Sequence, residues 1–183
     1  MNNFPEETRR RLVDRMLEEN GEALVSLQDM RGRFMFAHLR GVLGAVRTEM
    51  NAHFTGLENT LDSYRRKLQG FLTRRLTNEM DDNQVPAFLA APANPNDEFF
   101  RVDLNDITDR GAEVQELRQH SLLMNDVRRR LLDLLHFIFE DLKTLFGNGA
   151  RLEEELVYYV DTANNILERV KTMADIIRPE FQV

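Results

Sequence analysis

Asp133, His136 and Glu140 stand three and four residues apart in the C-terminal third of the chain, so on a helix all three side chains share one face. Carboxylate and imidazole at that spacing are metal-ligand chemistry. The Asp-x-x-His order is half of what a carboxylate-bridged dinuclear helical site uses. Such a site needs the motif twice, and the other histidines, His38, His53 and His120, follow Met35, Met50 and Leu117 at the matching offset. A solvated helix face is therefore the expectation, with no metal and no cofactor.

Asp103-Leu104-Asn105-Asp106-Ile107-Thr108 has the look of a calcium loop at its start, but Ile107 takes a ligand position, Thr108 the glycine position and Val114 the place of the closing glutamate. Capping of a following helix suits these residues better. No phosphate-binding glycine loop, Gly-x-Ser-x-Gly or His-Glu-x-x-His occurs. The expectation is a protein that is not an enzyme.

Arginines are the remaining chemical signal. Arg9-Arg10-Arg11, Arg65-Arg66-Lys67, Arg74-Arg75 and Arg128-Arg129-Arg130 could meet phosphates, yet consecutive helical residues fan around the axis rather than forming a stripe. Arg33, Arg40 and Arg47 differ, because seven-residue spacing puts them on one line of a continuous helix. Pairing with acids of a neighbouring helix is the favoured reading for that line, and nucleic-acid contact is the alternative.

These side chains sit in a helical frame. Val114, Leu117, Met124, Leu131, Leu135, Ile138, Leu142 and Leu145 form one apolar stripe, and Leu152, Leu156, Tyr159, Ala163, Ile166, Val170, Met173 and Ile177 form another. Gly147-Asn148-Gly149 alone separates them, which predicts an antiparallel hairpin over 112–183. Near the N-terminus, Asn3, Pro5 and Glu6 signal a helix start, and Asn20-Gly21 predicts its end. From Glu22 to Glu79 no proline intervenes. Phe36, Leu39, Leu43, Val46 and Met50 step regularly, and Phe54, Leu57, Leu61, Tyr64, Leu68 and Phe71 resume after a four-residue stutter. A continuous helix there would reach ~87 Å, and Thr55-Gly56 is the expected break. Gly41 and Gly44 read as points of close helix packing.

Residues 80–111 hold seven acids against two basic residues and three prolines within ten positions. They predict a non-helical connection in which Phe100, Val102 and Leu104 could form a short strand. The fold class is thus all-α, an elongated helical bundle with an N-terminal helical arm (1–79), an acidic connecting loop (80–111) and the C-terminal hairpin (112–183).

Function is read from surplus apolar surface. Leu132, Leu134, Phe137, Phe139 and Phe146 widen the first hairpin helix beyond what one partner helix covers, so they predict a protein-binding face and at least a dimer. Phe88, Leu89, Phe99 and Phe100 give the central loop apolar anchors for a partner or a second subunit. The net charge of −7 argues against a surface attracted throughout to nucleic acid or anionic lipid. No stretch is apolar enough to span a membrane, no export signal opens the chain, and cysteine is absent, which suits the cytoplasm or another intracellular compartment. The sequence-level expectation is a non-enzymatic, self-associating helical scaffold or adaptor.

Overall fold

The computed structural model describes residues 6–37, 44–76, 101–108 and 122–177. They form α1 (Glu6–Ala37), α2 (Gly44–Leu76), the short α3 (Leu104–Thr108), α4 (Leu122–Phe146) and α5 (Ala150–Ile177). Among the described residues there is no strand.

Side-chain contacts give the directions. On α1, Asn20, Gln28 and Arg31 reach Leu61, Glu58 and Asn51 of α2 in falling order, so the two run antiparallel. Glu19, Ser26 and Arg33 likewise meet Arg169, Asn165 and Glu155 of α5. Gly56 of α2 faces Arg130 of α4, and His53 lies against Phe137. The order around the bundle is α1, α2, α4, α5, each helix antiparallel to both neighbours, which is the up-down-up-down four-helix arrangement. Phe34 of α1 touches Phe137 of α4 across the diagonal, at 5.8 Å between ring centres.

The stripes fill this core. Met124, Leu131, Leu135, Ile138 and Leu142 on α4 and Leu152, Leu156, Tyr159, Ala163, Ile166, Val170 and Met173 on α5 are all buried. Met16, Ala23, Leu27, Met30 and Phe34 close over them from α1, and Met50, Phe54, Leu57, Leu61, Tyr64 and Leu68 from α2. The hairpin turn uses Gly147 at φ +73°, a left-handed conformation that ends α4 while its N–H still bonds the Lys143 carbonyl at 2.9 Å.

Three expectations about the arm are corrected. Asn20-Gly21 does not end the first helix: Gly21 lacks the positive φ of a terminating glycine, and the Asn20 side chain, buried, donates instead to the Leu61 carbonyl at 3.1 Å. A tertiary partner has displaced the local capping role. Nor does α2 break at Thr55-Gly56. Gly56 leaves room for the Arg130 guanidinium, whose Nη1 would stand 3.0 Å from a Cβ there. The 22–79 rod is replaced by two helices of 32 and 33 residues, each about 50 Å long, flanking residues 38–43. Gly44 opens α2 with nothing within 4 Å of a Cβ, so it is not a close-packing point; Gly41 lies outside the described residues.

The strand over Phe100, Val102 and Leu104 is corrected as well. Val102 and Asp103 lead into α3, where Asp103 accepts from the Asp106 N–H and Asp106 accepts from the Asp103 N–H, both at 2.9 Å. Reciprocal capping of this kind satisfies donors that a helix start leaves free. The apolar alternation here reflects docking, with Val102 and Ile107 buried against the bundle.

Candidate functional site

Of the residues singled out for chemistry, Asp133, His136 and Glu140 do share one face of α4, and that face borders a shallow groove open to solvent, with Asp133 exposed. Glu49 and His53 of α2, one turn apart, border it from the other side, and Val46, Phe137, Asp141 and Thr144 complete a lining around about 580 Å³. The floor is aromatic: Phe137 is half-buried, and the His53 ring lies 5.3 Å from it. Four carboxylates and two imidazoles therefore surround a partly apolar trough, and no lysine or arginine is among the lining residues. Negative charge lining a cleft concentrates potential there and attracts cations. Among the described residues no three His, Asp or Glu side chains come together as a metal would require. The donor types fit a metal; their arrangement does not.

A second polar cluster clamps the chain before α3. The buried Asn164 side chain accepts from the Val102 N–H and donates to the Val102 carbonyl, both at 2.8 Å, pairing with the backbone as a neighbouring strand would. Arg128, also buried, donates to the Arg101 carbonyl at 3.3 Å and stands 3.7 Å from Asp106. Burial pulls the Arg128 pKa down, with Asp106 and Asp103 opposing the shift. Nothing in the local sequence singled out these two side chains, because their partners are some 27 and 62 residues away.

The arginine line is not one line. Arg33 lies on α1 and Arg47 on α2, across the break between two antiparallel helices, while Arg40 lies outside the described residues. Seven-residue spacing aligns side chains only along an unbroken helix. Arg33 bonds Glu155 of α5 through Nε at 3.2 Å and Nη2 at 2.6 Å, and its guanidinium lies 5.0 Å from the centre of the Tyr158 ring. That hydrogen bond raises its pKa further. Arg47 is exposed. Close by, burial holds the Tyr159 hydroxyl well above the usual phenol range, and its oxygen has no hydrogen-bond partner.

The proposed binding residues divide. Leu132, Leu134 and Phe139 are buried inside the chain, whereas Phe137 and Phe146 are half-buried. Leu132, Leu134 and Phe139 therefore find their cover within the chain, where α1 and α2 close the bundle over the hairpin, and do not call for a second subunit as expected. Phe88, Leu89, Phe99 and Phe100 lie outside the described residues. Phe36 and Leu145, expected on the apolar stripes, face outward instead, and so do Leu17 and, not singled out from the sequence, Val25, Met35 and Val157. Among the described residues no helix is long and apolar enough to cross a membrane. Comparison with protein-family models, with curated proteins and with solved structures found no match.

Proposed function

We propose that this protein is a non-enzymatic, self-associating helical scaffold or adaptor that works by binding protein. The observation that supports this reading is the outer line of α1. Val25 and Phe36 are 59% and 77% exposed, while Ala23, Leu27, Met30 and Phe34 fill the core from the same helix. At 100° per residue, Val25, Gly32 and Phe36 fall within about 40° of one another, pointing away from the bundle. Gly32 has no atom within 4 Å of where a Cβ would sit, so packing within the chain does not require a glycine there. An interior helical glycine costs on the order of 0.5–1 kcal/mol relative to alanine, and the open backbone beside two apolar side chains lets another helix approach closely.

The experiment is sedimentation equilibrium over a range of micromolar concentrations, with wild type beside a Val25→Glu/Phe36→Glu double variant. Wild type is expected to show a mass that grows with concentration, and the variant a monomeric mass with an unchanged melting curve. A monomeric wild type throughout would overturn self-association. A variant that associates as wild type does would move the contact away from α1.

A further inference from the structure

The outer line of α1 is complementary to itself, a property that gives the self-association proposed above a partner surface and a register, and that rests on that reading. Gly21 joins Val25, Gly32 and Phe36 on the line, all four within about 60° of one another at 100° per residue. A Cβ at Gly21 would meet nothing within 4 Å, as at Gly32. Both glycines sit inside one continuous helix without the positive φ that marks Gly147, so the backbone does not require them. Along the helix the order is therefore notch, exposed side chain, notch, exposed side chain.

That order decides how a second copy fits. The midpoint between Val25 and Gly32 falls between Gln28 and Asp29, and so does the midpoint between Gly21 and Phe36. An identical helix turned end for end about that point sets each Val25 against a Gly32 and each Phe36 against a Gly21 at the same time. Side chains then fill the open backbone opposite them, as close packing demands. A parallel pair in register would stack Val25 on Val25 and Phe36 on Phe36, and leave the glycines facing each other across gaps. Charge agrees with the antiparallel choice. Arg33 and Glu22 lie on one flank of the line, and this register sets Arg33 of one copy about 3 Å along the axis from Glu22 of the other. Arg33 is held by Glu155 and Glu22 stands near Arg169, yet their side chains are still 47% and 54% exposed and open to a further opposite charge.

We propose that two copies of this chain pair through the outer faces of α1, antiparallel about a two-fold axis between Gln28 and Asp29. Each Val25 seats at the other copy's Gly32 and each Phe36 over its Gly21. The contact from Gly21 to Phe36 is roughly 22 Å long.

The test reads direction and register separately from association. The chain has no cysteine, so Arg11→Cys, Asp14→Cys and Glu18→Cys, at exposed positions of α1, each carry one spin label for pulsed electron paramagnetic resonance. The expected axial separations between the two copies' labels are roughly 53, 44 and 32 Å, growing by about 3 Å for each residue away from the axis. Equal separations at the three sites would show a parallel pair and overturn the proposal, as would an order unrelated to position along α1. In sedimentation equilibrium, Gly21→Leu and Gly32→Leu, each filling space that the single chain leaves open, are expected to weaken association at least about tenfold while the melting curve holds or rises. Asp29→Asn, which removes a like-charge contact between copies beside the axis, is expected to tighten it; weakening would overturn the register. A dimeric wild type indifferent to both leucines would overturn this pairing and leave self-association standing. A monomeric wild type would overturn both.

Discussion

Replacing Asn164 by Ala removes both hydrogen bonds that hold Val102. If the segment 101–108 stayed in place, a buried N–H and a buried C=O would be left without partners, at about 1–3 kcal/mol each. The alternative is for the segment to lift. That exposes Val102 and Ile107, worth ~1.5–3 kcal/mol apiece, and returns chain freedom on the order of 1 kcal/mol or more per residue, which offsets that loss. Lifting is therefore the cheaper response. The expected result is that amides of residues 102–108 lose hydrogen-exchange protection while the unfolding free energy from denaturant titration, followed by circular dichroism, falls by no more than about 1 kcal/mol. A second substitution, Ile107→Ala, should then add little to the first, since both act on a segment already released. Retained protection of those amides together with a global loss of more than about 2 kcal/mol would refute the reasoning and make the segment part of the cooperative core. Fully additive losses from the two substitutions would refute it independently.

Three further outcomes follow from the same geometry. Leu135→Asp and Ile138→Asp, each at a fully buried position, should unfold the individual chain at neutral pH, seen as loss of helical circular dichroism at every concentration, rather than only separate subunits. Tyr159→Phe should be neutral or stabilising by up to about 1 kcal/mol in thermal melts, because the hydroxyl it removes is buried without a partner; a loss of that size would show that the oxygen is bonded. Gly32→Ala should raise stability by about 0.5–1 kcal/mol, whereas Gly147→Ala, at φ +73°, should lower it by a similar amount; equal signs in denaturant titrations would contradict the two backbone conformations.

The hairpin was legible because its information is local. A stripe stepping by three and four, interrupted by glycines, specifies two helices and a reversal, and Leu131, Leu135, Ile138, Leu156, Tyr159 and Ile166 lie buried as the stripe requires. The arm was misread at the points where local and tertiary signals compete. Asn20-Gly21 looks like a stop until Leu61 supplies the partner for Asn20, and Gly56 looks like a break until Arg130 comes to rest against it. The surplus apolar residues of α4 were counted correctly, but sequence alone could not say whether α1 and α2 or a second chain would cover them. The groove shows the same limit. Asp133, His136 and Glu140 are visible as one helix face, while Glu49 and His53 join them only because α2 packs antiparallel to α4.

The antiparallel pairing of α1 with α5 also has a mechanical meaning. Glu19 meets Arg169 while Arg33 meets Glu155, so the start of α1 and the end of α5 leave the bundle at the same end. Tension applied through those two ends peels one helix from the other contact by contact, beginning at the Arg169 pair, instead of shearing the whole interface at once. The same arrangement lets both helix ends be anchored to one surface while Thr144 and the Gly147 turn, at the opposite end of the bundle, project away from it.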